Sequence, residues 1–427
     1  MNVRKPGFRY VLGALLCLSM PLFSISAHAA PDLTAPVDLP PAASVDVVLA
    51  AHPSVLAAQS RLAAATAEGR RLHAGEYEYQ ARAAYTRRHE SGIGGMNDWE
   101  IGIERGLRLP GKAKLDAETA ATLVAEAEAR VADARHEAAR ELVALWYATL
   151  RGADEAEHWR AQAGLLRQQS EVVAKRLRAG DAAMMESAQA MAAEHQAQAE
   201  LRRTETVAAA AAAMLSTRFP GLPKPIPQPG PAPVLSGSAE EWIAAALADN
   251  HELAILRKES ERMHILSRRQ QADLRPDPTL GLHFSRERSG QDNLIGVSLA
   301  LPLPGEARRA RVTVANEEAN ALAQLLAAAK TRIEGEIRGT HLNLQGGLSR
   351  LSAQEEMALQ LERYAGLSWR AYELGEANLY EALNARKSAH DARRETATSR
   401  LDVRESAARL LLDGHQLWMS ESGHAAH

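Results

Sequence analysis

The sequence writes Leu-Pro-Gly twice, at 109–111 and at 303–305, and each time a short alternating stretch ends and a long Ala-rich stretch begins. The contexts repeat as well. "DVVLAAHPSVLAAQSRLAAATAEGRRL" leads to "LPGKAKLDAETAATLVAEAEARVADARHEAARELVALW" and then "RLRAGDAAMMESAQAMAAEHQAQ". Later, "EEWIAAALADNHELAILRKESERMHIL" leads to "LPGEARRARVTVANEEANALAQLLAAAK" and then "AYELGEANLYEALNARKSAHDARR". Gly111 to Gly180 is 69 residues and Gly305 to Gly375 is 70. A self-similarity of this length means one unit written twice, and it restricts the fold more than any local propensity does.

Each unit reads as helix, strand, strand, long helix, turn, helix. Residues 112–178 carry only Gly152 and Gly164 among helix breakers and are rich in Ala, Glu, Arg and Leu, so they predict one helix about 100 Å long. Gly180 and Gly375 then reverse the chain into a second helix that packs back on the first. The expected organisation is a cleaved leader over 1–29 and a first repeat over 30–218, with hairpin 77–109, long helix 112–178 and tip 179–183. A linker over 219–238 follows, whose seven prolines forbid helix. The second repeat, 239–418, has hairpin 279–303, long helix 306–373 and tip 374–378, and a flexible tail covers 419–427.

The strands limit what the repeats can be for. In "YEYQARAAYTRR", Tyr77, Tyr79, Ala81, Ala83 and Tyr85 share one face, against Glu78, Gln80, Arg82 and Thr86. In "WEIGIERGLRL", Trp99, Ile101 and Ile103 oppose Glu100 and Glu104, with Arg105 as the exception on the apolar face. The second unit gives Leu280, Leu282 and Phe284, then Ile295, Val297 and Leu299. Half-apolar strands with aromatic ends are what a lipid-facing barrel wall requires. They are also what a surface ribbon packed on its own helices shows. Four strands cannot close a barrel, so the lipid reading forces oligomerisation, and three copies give twelve strands.

Composition removes other classes. With 50 basic and 53 acidic residues interspersed, the chain has no basic stripe for nucleic acid. After the leader no apolar run of about 18 residues remains, so a membrane role rests on strands. The leader has Arg4, Lys5 and Arg9, an apolar run from Val11 to Ile25, and Ala27-His28-Ala29 as a cleavage signal, so the chain is expected to be exported. The single cysteine, Cys17, lies within that run and is preceded by Leu16, against lipidation. No disulfide or thiolate metal site is then expected in the mature protein.

The duplicated unit resembles the TolC-like outer membrane factors over essentially the whole mature chain. "LRLPGKAK" looks like the strand-to-helix junction of the CzcC-type heavy-metal efflux branch. "RLRAGDAAMMESAQA" and "AYELGEANLYEALNA" resemble the two hairpin tips, and "LAAHPSVLAAQ" the opening helix. The resemblance implies a mainly α fold with a small β part. Three protomers would make a 12-stranded outer-membrane β-barrel, four strands each, continuous with a long periplasmic α-helical barrel. It implies a homotrimer in the outer membrane of a Gram-negative bacterium, meeting a periplasmic adaptor and an inner-membrane RND pump. The duct would be passive, with heavy-metal cations as the expected cargo, and without catalytic residue or cofactor. Pro110, Gly111, Pro304 and Gly305 become the corners where strand turns into tunnel helix, the prolines ending the strand and the glycines letting the backbone bend.

On the same resemblance, Arg178, Gly180, Asp181, Gly375 and Glu376 are candidates for adaptor contact, where Ala183 and Asn378 stand in the neighbourhood of the family's small hydroxyl residue. Asp181, Glu186, Glu373, Glu376 and Glu381 could ring the opening in threefold copy and favour cations; solvated helix ends carry such residues too. No metal site is expected. The 15 histidines are dispersed, and only His424 and His427 in the terminal "HAAH" sit close in sequence. Met184 and Met185, just past a tip, suit soft metals or helix packing equally. A drug-efflux or type I secretion channel is the alternative within this architecture, and a periplasmic adaptor the alternative outside it. No nucleophile elbow, His-Glu-x-x-His or phosphate loop supports an enzyme.

Overall fold

The computed structural model describes residues 32–418; the leader, Cys17 and the histidine tail lie outside the described residues. The elements repeat. The first unit runs α1 (Ala42–Ala50), α2 (Pro53–Ala74), β1 (Gln80–Glu90), β2 (Gly94–Gly106), α3 (Pro110–Arg178) and α4 (Met184–Arg218). The second runs α5 (Ala239–Ala248), α6 (His251–Ala272), β3 (Thr279–Glu287), β4 (Asp292–Ala300), α7 (Glu306–Glu373) and α8 (Leu379–Asp413). Each opening helix is thus a short helix and a longer one. Pro53 starts α2 behind the His52 cap, and Asn250 starts α6 by accepting from the Leu253 N–H at 2.9 Å. Among the described residues no single helix is long and apolar enough to cross a membrane.

Lengths determine how the helices cover one another. α3 and α7 have 69 and 68 residues, α4 and α8 have 35 each, and α2 and α6 have 22 each. At 1.5 Å per residue, a returning helix of about 50 Å covers only the tip half of a partner about 100 Å long. α2 and α6 cover the strand half. Where the two coverings meet lies a belt, and here the largest core forms, with Trp146, Tyr147, Phe219 and Trp242 buried among leucines. Away from the belt the buried residues of α3 and α4 are mostly small (Ala, Gly, Ser or Thr), and a Cβ on Gly152 would meet Ala208 Cα at 3.0 Å, so small residues let these helices approach.

A buried ion pair ties the belt together. Asp38, fully buried, accepts from Arg404 at 3.0 Å and from the Tyr147 hydroxyl at 3.0 Å, while its carbonyl accepts from the Trp146 indole at 2.7 Å. Arg404 also donates to the carbonyls of Gln228 and Gly230, at 2.9 and 2.8 Å. The Pro-rich segment 219–238 therefore does more than connect; it is pinned onto α8.

The four strands form one antiparallel sheet in the order β1-β2-β3-β4. Its register aligns Ala83, Ile101, Phe284 and Ile295 in one row across all four strands, and Ala81, Ile103, Leu282 and Val297 in the next. A third begins Tyr85–Trp99, with Leu280 and Leu299 paired at the helix end. Most of these side chains are exposed. The opposite face is polar: Arg82 pairs with Glu104 at 2.8 Å and Arg88 with Asp98 at 2.9 Å.

Tyr77 and Tyr79, read above as part of the outward strand face, precede β1. Tyr77 instead donates from its hydroxyl to Asp277 at 2.8 Å. Arg105 lies with its guanidinium 4.6 Å over the Tyr79 ring and donates to the Tyr77 carbonyl at 3.0 Å, which accounts for a cation at the apolar face's helix end.

Arg404→Ala strands a carboxylate without access to water and is expected to cost about 3–5 kcal/mol. Arg338→Ala, which breaks only an exposed pair with Glu240, should cost under about 1 kcal/mol. Denaturant unfolding of the detergent-solubilised protein, followed by far-UV circular dichroism, measures both.

Candidate functional site

Both long helices end in the same hydrogen-bonded turn. Gly180 N–H donates to Leu177 and Asp181 N–H to Arg176, at 3.0 and 2.8 Å; Gly375 donates to Tyr372 and Glu376 to Ala371, at 3.1 and 2.9 Å. The glycines have φ of +80° and +79°, a conformation that taxes any other residue. The next helices start differently. Asn378 caps α8 by accepting from the Glu381 N–H at 2.8 Å, whereas Ala183 leaves α4 without a side-chain cap.

The two tips face one cleft. Gly180, Asp181, Glu186, Gly375, Glu376 and Glu381 all line it, so four of the five acids proposed for a constriction meet there. Glu373 does not: it accepts from the Trp369 indole at 2.9 Å and from Arg370 at 3.1 Å. Arg178 is exposed on the last turn of α3. The cation that joins the tips is Arg176, which pairs with Asp181 at 2.9 Å and lies 4.8 Å over the buried Tyr372 ring. Burial raises the Tyr372 hydroxyl above its ordinary range, partly offset by Arg176. The sequence reading passed over Arg176 because nothing in one copy of the repeat shows what the other copy brings to meet it.

The corners are unlike each other. Pro110 is the first residue of α3, with Leu109 as its cap, while Gly305 caps α7 and Pro304 precedes it. Gly111 is helical, Gly305 extended, and a Cβ on either would meet nothing within 4 Å. The expectation that these glycines permit the bend is therefore corrected: neither has positive φ. The first corner is held by charge. Lys112, 2% exposed, reaches Asp273 and Asp277 at 3.0 and 2.9 Å, and Asp277 also accepts from the Leu109 N–H at 3.1 Å. Although burial pushes Asp277 up, hydrogen bonds from Lys112, Tyr77 and Leu109 hold it below the usual carboxylate range. Arg108 donates to the carbonyls of Leu72 and His73 at the end of α2, as Arg308 does to Asp273 after α6.

The expectation that no histidines gather into a site is also overturned among the described residues. His136 of α3, His251 at the start of α6 and His415 just beyond α8 place one ligand atom each within 4.8 Å of the others. Their ring centroids are 4.9 to 5.7 Å apart. Burial, with the neighbouring imidazoles, pushes His251 down to about 4, and burial with His136 lowers His415. Asp413 faces His136 Nε2 at 3.5 Å and Arg140 at 2.8 Å. Spacings above a hundred residues hid this group from sequence reasoning.

Residues 242–412 match the model of a family described as outer membrane efflux proteins. That match spans the second repeat. The whole described chain has the TolC-like channel fold. It is 17% identical to the outer membrane protein VceC of Vibrio cholerae, covering 88% of this chain and 98% of that one with a TM-score of 0.70. For the CmeC outer membrane channel of Campylobacter jejuni the identity is 13%, the coverages 97% and 94%, and the TM-score 0.74. For CusC, described for folding and transmembrane channel formation, they are 12%, 90% and 99%, and 0.74. No curated protein matches the chain. The match over the second repeat and these likenesses agree on the fold of an outer membrane channel.

Gly180→Ala and Gly375→Ala are each expected to destabilise their tip by about 1–2 kcal/mol, while Gly111→Ala, inside a helix and unobstructed, should stabilise by about 0.5–1 kcal/mol. Hydrogen exchange at the tips and denaturant midpoints separate the two classes. Ala183→Asn supplies the missing cap and should slow exchange at the start of α4 by about fivefold, the equivalent of about 1 kcal/mol.

Proposed function

We propose that this protein is the outer-membrane duct of a tripartite RND-type efflux system, working as a homotrimer and passing heavy-metal cations outward through its lumen. The observation that carries the reading is the placement of two features at opposite ends of the same helices. At one end is a four-stranded sheet, apolar outside and polar inside, with strands of 9 to 13 residues, the length that crosses a membrane as a barrel wall. At the other end are two glycine-tipped hairpins sharing an acidic cleft. Three sheets would close twelve strands, and three clefts would bring Asp181, Glu186, Glu376 and Glu381 around one opening.

Carboxylates repeated around an axis lower the cost of a cation and raise that of an anion. This supports metal cations over anionic cargo, and the CzcC-like "LRLPGKAK" corner supports the heavy-metal branch. Exposed Leu367, Leu374 and Tyr380 beside the tips offer an adaptor apolar contact next to Arg178, Asp181 and Glu376. The duct supplies a path and a charge filter, while energy and selection belong to the pump.

Deleting the gene and complementing it should produce and then rescue sensitivity to zinc, cobalt, cadmium, nickel, copper or silver, with growth on dyes, detergents and antibiotics unchanged. Sensitivity confined to organic compounds would replace the metal reading with the drug-efflux one. In planar bilayers, the combined Glu376→Gln and Glu381→Gln substitution should lower cation over anion permeability severalfold, and an unchanged ratio would remove these acids from the constriction.

A further inference from the structure

We propose that His136, His251 and His415 form a binding site for a borderline divalent cation of the zinc, copper(II) or nickel class, set in the belt rather than in the lumen's acidic mouth. The three imidazoles come from α3, from the first residue of α6 and from the turn after α8, so they join the first repeat to both ends of the second. All three are half-buried. An imidazole set without thiolate or thioether suits these ions and disfavours copper(I) and silver(I).

Three further observations set this group apart from ordinary ring packing. His415 sits at φ +56°, a strained conformation for a residue with a Cβ, directly after Gly414 at φ −84°, so the strain falls on the residue whose ring enters the cluster. His415 Nδ1 is buried without a hydrogen-bond partner. Asp413, at 3.5 Å from His136 Nε2 and itself braced by Arg140, stands where an outer-shell carboxylate fixes the ring of a metal-bound histidine. Zn–N bonds of about 2.1 Å put tetrahedral nitrogens about 3.4 Å apart. The present limit of 4.8 Å therefore closes by about 1.4 Å on binding, within reach of side-chain rotation. Three protein ligands leave a fourth position for water.

The bound ion would clamp α3, α6 and the end of α8 at the level where the two coverings of the long helices meet. The site is independent of the cargo reading: it stands if the duct carries organic compounds, and the metal-export reading stands if the site fails.

The test uses the full-length, untagged trimer in detergent, with His424→Ala and His427→Ala as background so that the tail contributes nothing. Zinc titration by calorimetry should show one ion per chain, cobalt(II) should give visible ligand-field bands, and zinc should raise the melting midpoint. His136→Gln, His251→Gln and His415→Gln should each weaken zinc by more than the 10–100-fold that loss of an outer-shell partner costs, and Asp413→Asn by about that amount, with Asp413→Glu restoring part of it. His195→Gln, elsewhere on α4, should change nothing. His415→Gly separates the roles: relieving the left-handed strain should hold or raise the metal-free midpoint while zinc binding is lost. No zinc uptake by the background protein, or uptake that survives all three glutamine variants, would overturn the site, as would a His415→Gly protein that still binds zinc with one ion per chain.

Discussion

Four antiparallel strands with an apolar outer face leave two edges unpaired, on β1 and β4, and hydrocarbon offers those backbone groups no substitute partner. Each unpaired group costs several kilocalories there. The sheet can therefore exist in a bilayer only when the β4 edge of one copy meets the β1 edge of the next, and the assembly has to close on itself. Closure fixes the rest. In the proposed trimer, closing twelve strands would also bring six long helices around one axis, and a tunnel would follow from the requirement that the barrel have no edge.

A tunnel wall of this kind has a particular difficulty: one layer of helices has no thick core. Alanine contacts bring α3 against α4 at low cost in side-chain entropy, but they bury little area per residue. Stability is concentrated instead at two places where buried charges are paired with opposite charge. In the belt, Asp38, in the segment before α1, collects Arg404 and Tyr147. At the first corner, Lys112 with Asp273 and Asp277 joins α3 to the entry of β3. Both pairs cross between repeats or between the ends of the chain. They hold the two copies in one arrangement, whereas generic helix packing would accept several.

What the sequence showed and what it hid follow from the range of each interaction. The duplication, the long helices, the strand pairs and the Gly180 and Gly375 turns are local patterns, periodic or set by one residue's backbone preference, and they were legible. The alternation even located the outward rows from Trp99 to Ile103 and from Leu280 to Phe284. It misled at Tyr77, where the same alternation continues past the strand and the hydroxyl is taken by Asp277, 200 residues away. The Leu-Pro-Gly corner was found for a partly wrong reason: the prolines end strands, but Gly111 and Gly305 adopt conformations open to any residue. Arg176 on Tyr372, Asp38 with Arg404 and the three histidines depend on tertiary proximity alone, for which one sequence carries no periodic trace.

The two repeats share geometry more closely than chemistry, and the difference has mechanical content. Six hairpins around one axis would be equivalent if the copies were identical. Here the second tip has its Asn378 cap and the first does not, and the first corner has its buried lysine while the second has Arg308 on the Asp273 carbonyl. α3 is thus stiffly joined to the sheet and loosely started after its tip; α7 is loosely joined to the sheet and firmly capped after its tip. A tilt of α7 against the barrel breaks fewer buried contacts than a tilt of α3, and with Arg176 lying on Tyr372 the first tip cannot move without disturbing the second.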